Sequence, residues 1–287
     1  MMDKMNREEN QLMKTMLIEE LSISDEVLTA TKEIALQIFE QFKSYQWYED
    51  YDGFRKKHYM FIPNLSNGNK VGVRYVVVNI IDFKTRKDYD QYYGDLKENA
   101  HFNPTTRSIE IYVPYFGKKI AMKEIYAILS HEIEHSFQST FHNLSSYKNI
   151  LSKLNLIMNR FPENTDEYNM AYCLYYFSKP EIDAHTNEFY YELYKNKIKS
   201  IKEINYCHAI RLKNALKKIY NEIKNKNSAE EVFSFIGLSR TEVYKYLDRQ
   251  IHYSERKFNH VVQRYFNEIS NPPKKTYMHE DFYPKIK

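Results

Sequence analysis

The period of the apolar positions changes twice along this chain. Val27, Leu28, Ile34, Ala35 and Ile38 recur at the three- and four-residue spacing of one helical face, with Thr31 the one polar residue in that register. Ser24 stands in front of them with Asp25 and Glu26 behind it, residue types that cap a helix start and complement its dipole. The stretch from about Glu8 to Phe42 therefore reads as helical, in two pieces. After Trp47 the spacing shortens to two. Segments 57–62, 70–81 and 107–115 are rich in β-branched and aromatic residues, and in the last Ile109, Ile111 and Val113 alternate with Glu110 and Tyr112. Pro114 cannot donate to a ladder, which puts that strand at a sheet edge or ends it there. Asn103-Pro104 marks a turn just upstream.

From Ile120 helical spacing returns and holds almost to the end. Helices are expected over 121–141, 146–159, 165–177, 180–195, 201–224, 229–235 and 240–269. Helices, then a small sheet, then many helices is the order of an α+β fold rather than of alternating β-α-β units. Residues 271–287, which include Pro272-Pro273, read as a loosely attached tail.

Composition narrows the classes. With 287 residues, 27 Tyr and 17 Phe, the chain can bury a sizeable core and is not globally disordered. No apolar run approaches the roughly 18 residues of a membrane span. The mixed-charge start lacks an apolar stretch of the secretory type, so a cytoplasmic location is expected. Two cysteines, Cys173 and Cys207, without C-x-x-C spacing make neither a disulfide framework nor a thiolate zinc site. A net charge of +4 is too mild to suggest a nucleic-acid partner without a concentrated patch. The nearest to one is the basic amphipathic run 211–226, which reads first as a solvated helix face.

One motif carries chemistry. Residues 128–136 read Ile-Leu-Ser-His131-Glu132-Ile-Glu134-His135-Ser. Four residues on a helix are about 400° of rotation and roughly 6 Å of rise, so His131 and His135 project from one face. Two imidazoles so placed can ligate one tetrahedral Zn²⁺. Glu132 sits beside them as general base and acid, able to take a proton from the attacking water and deliver it to a leaving amine. The plain alternative is a solvated face on which two histidines and two glutamates pair. An amphipathic helical setting and a strand directly upstream favour the metal site.

In these features the chain resembles the zincin metallopeptidases, mainly over 107–136 and more weakly to about 192. The resemblance implies a mostly helical zincin-like fold with a small mixed β-sheet before the active-site helix. It also implies that an extended peptide pairs along the strand at Ile111, Tyr112 and Val113. Glu134 departs from the pattern, because these families usually keep that position uncharged; it is expected to face solvent on the far side of the helix.

A catalytic zinc usually takes a third protein ligand. The metzincin pattern fails, since it needs Gly at Gln138 and His at Phe141, and His142 misses the register by one. The better segment is Ser178-Lys-Pro-Glu181-Ile-Asp183-Ala184-His185-Thr-Asn-Glu188. Pro180 suits a first helical turn, and small Ala184 lets two helices approach. Glu181 and Ala184 are similar to the E-x-x-A arrangement of gluzincins, distantly of the ImmA/IrrE-type peptidases, which implies Glu181 as the third ligand. Ser178-x-x-Glu181 also fits a capping box, in which the glutamate merely satisfies the helix start. His185 and Glu188 share a face with Glu181 and are candidates to orient a ligand or steady an oxyanion, whereas Asp183 is turned away. Tyrosine or histidine stabilises the oxyanion in related zincins, and Tyr172, Tyr175, Tyr176 and Tyr190 flank the segment; proximity in sequence chooses none of them, and Tyr176 is carried as a candidate.

The expectation is a one-zinc metallopeptidase, an intracellular endopeptidase acting on a protein or peptide substrate, with no membrane or nucleic-acid partner. It would be a single domain over 1–270, helical over 1–46 and 197–270 and bearing the sheet and catalytic helices over 47–196. The alternative is a helical interaction or regulatory protein with a structural or vestigial metal site. The sequence leaves the oligomeric state and the substrate open.

Overall fold

The computed structural model describes residues 24–49, 55–66, 68–83, 100–115, 122–141 and 145–271. The first piece of the expected N-terminal helix, His142 and the tail beyond 271 lie outside these. Helix α1 (Asp25–Phe42) starts as the sequence implies, with Ser24 Oγ accepting from the Val27 amide at 3.4 Å. Thr31 is buried in its apolar stripe because its hydroxyl donates to the Val27 carbonyl one turn back, at 2.7 Å.

Five strands follow: β1 (Tyr48–Glu49), β2 (Arg55–Phe61), β3 (Tyr75–Asp82), β4 (Ala100–Asn103) and β5 (Ser108–Tyr115). They form one mixed sheet in the order β1-β2-β3-β5-β4, in which only the β3–β5 pairing is parallel. Period-two alternation builds its inner face, where Tyr59, Val78, Ile111 and Ala100 sit in one cross-strand row. Val76 and Ile109 lie in the next, and Ile80 and Val113 in another. The Asn103-Pro104 signal is a turn: Asn103 Oδ1 accepts from the amides of Thr105 and Thr106 at 2.9 and 3.2 Å.

Of the two expectations from Pro114, the second holds: β5 ends at Tyr115, one residue on, and it is not the edge strand over Ser108–Ile111. β4, which the sequence reading missed because it is four residues long, pairs with Ser108–Ile111 and is itself the outer strand. Ile111 faces Ala100, and Ile111 and Val113 are core residues with essentially no exposure. Of the expected docking positions, Ile111 is covered by β4, whereas among the described residues Tyr112 and Val113 pair only with β3.

The helices are α2 (Met122–Phe141), α3 (Ser145–Arg160), α4 (Asp166–Tyr176), α5 (Lys179–Lys195), α6 (His208–Lys226), α7 (Glu230–Ile236) and α8 (Arg240–Ser270). The helix expected over 201–224 is instead a 3-10 turn (Ile201–Tyr206) followed by α6, broken at extended Cys207. The cause is remote in sequence. Both oxygens of Glu192 on α5 accept the first amides of α6, from His208 and Ala209, at 3.0 Å each, which caps the helix from another element.

Two apolar clusters result. One joins the sheet to α1, α2, α5 and the C-terminal half of α8. The other joins α3, α4, α6, α7 and the N-terminal half of α8. Helix α8, opened by a capping box between Ser239 and Glu242, is long enough to serve both. The HExxH helix α2 packs on α1, β4, β5 and α5.

Candidate metal centre

Helix α2 buries Ile125, Leu129 and Ile133 and is pinned to the chain before β3 by Ser136 Oγ, which donates to the Val71 carbonyl at 2.8 Å. That face fixes where the next one points. His131 and His135 project from it half-buried, with their Nε2 atoms 3.2 Å apart. Glu181, in the first turn of α5, reaches between them: one oxygen is 3.6 Å from His131 Nε2 and the other 3.5 Å from His135 Nε2. Bonds of about 2.0–2.1 Å at tetrahedral angles would set neighbouring ligand atoms about 3.3 Å apart. The Nε2–Nε2 edge fits that value, and Glu181 meets the two histidines through different oxygens at 3.5 and 3.6 Å.

The capping-box reading of Glu181 is overturned. Ser178 makes no side-chain cap bond, its buried hydroxyl has no hydrogen-bond partner among the described residues, and the Glu181 carboxylate turns to the histidines. Fully buried Ala184 is the small residue packed one turn on.

Two more residues of α5 complete the cluster. Glu188 Oε2 accepts from His185 Nδ1 at 3.1 Å and stands 3.7 Å from His131 Nδ1. A carboxylate can only accept, so it places the His185 proton on Nδ1 and turns that ring's Nε2 lone pair inward, while its charge also faces Nδ1 of His131. His185 Nε2 lies 3.9 Å from Glu181, and its ring packs edge-on to His131 and stacks on Tyr176 at 4.4 Å. His131, Glu181 and His185 thus form a second, wider triad, with ligand atoms within 4.8 Å of one another. His135 joins this group through its approach to His131 and to the other Glu181 oxygen, so four residues face one centre.

Electrostatics agree with the geometry. Burial acts to raise the Glu181 carboxyl, but the His135 and His131 imidazoles outweigh it and hold it at about 2. Glu188 is likewise driven well below the ordinary carboxylate range against its burial, by His131 and His185. Burial lowers His131, but Glu181 and Glu188 together raise it well above its usual value. Burial keeps His185 below its usual value. His131 is thus the more basic of these two imidazoles and stands among acceptor atoms.

Glu132 is buried beside His131, which feels its charge. The hydroxyl of Tyr176 is directed to the Ala209 carbonyl, 3.4 Å away, so this tyrosine braces His185 by its ring and does not offer a donor to the site. Tyr172 and Tyr176 are both raised, first by burial and further by charges that include Glu181 and Glu188. Tyr112 donates to Glu110, its neighbour but one on β5, at 2.8 Å. Asp183, as expected, turns away, to Lys257 at 2.6 Å and Tyr253 at 3.0 Å.

Glu134 corrects another expectation. It is buried, not solvated, and accepts from Gln138 at 3.0 Å and Asn187 at 2.7 Å. Burial, then the charge of Asp183, raises its carboxyl, while Lys257 opposes them. A lone charge in the motif was the available signal; its partners lie on another helix and leave no local pattern.

No family model matches the chain, and neither the curated proteins nor the solved structures contain a significant match.

Proposed function

We propose that this chain is a zinc-dependent peptidase in which His131, His135 and Glu181 hold one metal ion and Glu132 moves the protons. The observation that carries the reading is the convergence of three Nε2 atoms and one ionised carboxylate, spaced at 3.2–3.9 Å. Such a set of acceptors is stable only around a cation or a proton. When bound, zinc supplies Lewis-acid polarisation of the scissile carbonyl and eases deprotonation of the attacking water.

The chain's residues do the rest. Glu132 takes the proton of that water and hands it to the leaving amine. Glu188 fixes the tautomer of His185 and faces Nδ1 of His131. With Nδ1 committed to Glu188 and its pKa lowered, His185 offers a lone pair rather than an N–H, so it supports an acceptor role and not oxyanion donation. Among the described residues β4 is an outer strand, an edge with which an extended substrate could pair.

The second reading is a closed structural site, favoured by the reach of His185 as a fourth ligand. The basic α6 face, on which a partner-binding alternative relied, is largely spent within the chain. Lys217 pairs with Glu255, Lys224 with Asp248, and Lys226 with Asp166, while Lys213 lies over Phe258.

Metal content of protein purified without added zinc, set against His135→Ala and His185→Ala, together with cleavage of a fluorogenic peptide library, tests both. The peptidase reading expects about one zinc per chain, its loss in His135→Ala, and its retention in His185→Ala. Equal metal content in wild type and His135→Ala would sink it. A zinc-loaded wild type that cleaves nothing, with metal lost from His185→Ala, would establish the structural site instead.

A further inference from the structure

Beyond the ligands, the buried polar seam behind α2 has a direction. Gln138 is 4% exposed, and its amide Nε2 donates to two groups at once, Glu134 Oε1 at 3.0 Å and the Pro180 carbonyl at 3.2 Å. Both are acceptors, so only the NH₂ end of the amide can face them. The other end, Oε1, must then face His135, whose Nδ1 is 3.4 Å away. An amide oxygen accepts and never donates, which puts the His135 proton on Nδ1 and turns its Nε2 lone pair toward His131 and Glu181. Glu134 is itself held from the far side by Asn187 of α5, at 2.7 Å.

We infer that Glu134, Gln138 and Asn187 are positioning residues that set the tautomer of His135 and lock its helix to the start of the helix carrying Glu181. This inference rests on the metal-site reading above for its purpose, but its geometry stands on its own. The chain of donors and acceptors runs one way: Asn187 orients Glu134, Glu134 and the Pro180 carbonyl orient the Gln138 amide, and the amide orients the imidazole. Pro180 immediately precedes Glu181, so the same amide that aims one ligand also ties down the backbone beside another. A charge at position 134, unusual in a motif of this kind, is the acceptor that keeps the Gln138 amide from turning over. His131 faces a different group, Glu188, which it shares with His185.

The test combines two readouts on the full chain. Imidazole nitrogen shifts of ¹⁵N-labelled, metal-free protein at alkaline pH, assigned with His135→Ala, report which nitrogen of His135 bears the proton. Competition against a chromophoric chelator reports zinc affinity. Wild type is expected to show the Nδ1–H form of His135. Gln138→Met is expected to show a tautomer mixture and zinc binding weaker by about 10- to 100-fold. Asn187→Ala should move both readouts in the same direction by less.

An unchanged His135 tautomer in Gln138→Met overturns the inference, even if that variant is less stable, because a merely structural role lowers stability without moving the proton. Should Gln138→Met fail to fold, unchanged tautomer and affinity in Asn187→Ala overturn it. A wild type that binds no zinc but loses the Nδ1–H form on substitution would refute the metal reading and leave the positioning role standing.

Discussion

Helix α5 carries two clusters of the same kinds of residue on opposite faces, and they are built to different rules. On one face Asp183 and Asn187 meet Lys257, Tyr253 and Glu134. Every one of these contacts is a donor meeting an acceptor at 2.6–3.0 Å, and the lysine balances the carboxylates. On the other face Glu181 and His185 meet His131 and His135 at 3.2–3.9 Å, more acceptor atoms than protons to share between them. The first cluster satisfies itself and holds helices together. The second does not, and its spacing leaves room for one more positive centre. Buried charge alone does not mark a functional site; the mismatch of donors and acceptors does.

Four changes break or sharpen that contrast. The largest effect belongs to Glu132→Gln, which is expected to keep zinc stoichiometry while peptide cleavage falls by about 10²- to 10⁴-fold. Undiminished turnover would take Glu132 out of the mechanism. Next is Lys257→Met, in the self-satisfied cluster. Removing the cation strands Asp183 and raises the cost of ionised Glu134, for a loss of about 3–5 kcal/mol of stability by urea unfolding of the metal-free protein. A loss under about 1 kcal/mol would mean that this seam is no stronger than a surface pair.

The pH dependence comes third. In metal-free protein His131 is raised above its unfolded value. Its contribution to stability is therefore present below pH about 6.5 and lost as pH rises through the higher folded value. Zinc must displace that proton, so its apparent affinity should fall by up to about tenfold per pH unit on acidification below the folded value. Glu181, held at about 2, stays ionised and adds nothing over this range. Calorimetric titration in buffers of different ionisation enthalpy should count about one proton released per zinc at neutral pH; none released would place the proton elsewhere. The smallest effect is a control outside both clusters. Burial pushes the Cys173 thiol up to about 12 and Cys207 up to about 11, so a thiol reagent should leave native protein untouched and modify both in urea.

Much of the scaffold was legible in the sequence because it depends on periodicity. The stripe on α1, the alternation on β5, the Ser24 cap and the Asn103-Pro104 turn are local patterns, and the structure contains each of them. The α+β class follows from their order. What was misread depends on distant partners. The break at Cys207 comes from Glu192, fifteen residues earlier, and the burial of Glu134 from Asn187 on another helix. Ser178-x-x-Glu181 has the letters of a capping box, and Ser239-x-x-Glu242 has them too. Only the second forms one, because no histidines compete for its glutamate.

By itself, the order of residues determined that His131 and His135 share a face, since four helical residues turn the chain by little more than one full revolution. It also determined that Glu181 and Asp183 point apart. Tertiary packing alone decided that Glu181 reaches those histidines, that Glu188 and Gln138 orient them, and that β4 rather than β5 bounds the sheet. The physical reason is range: backbone geometry propagates over one or two turns, whereas which acceptor faces which donor across two helices is set by the apolar faces that dock them.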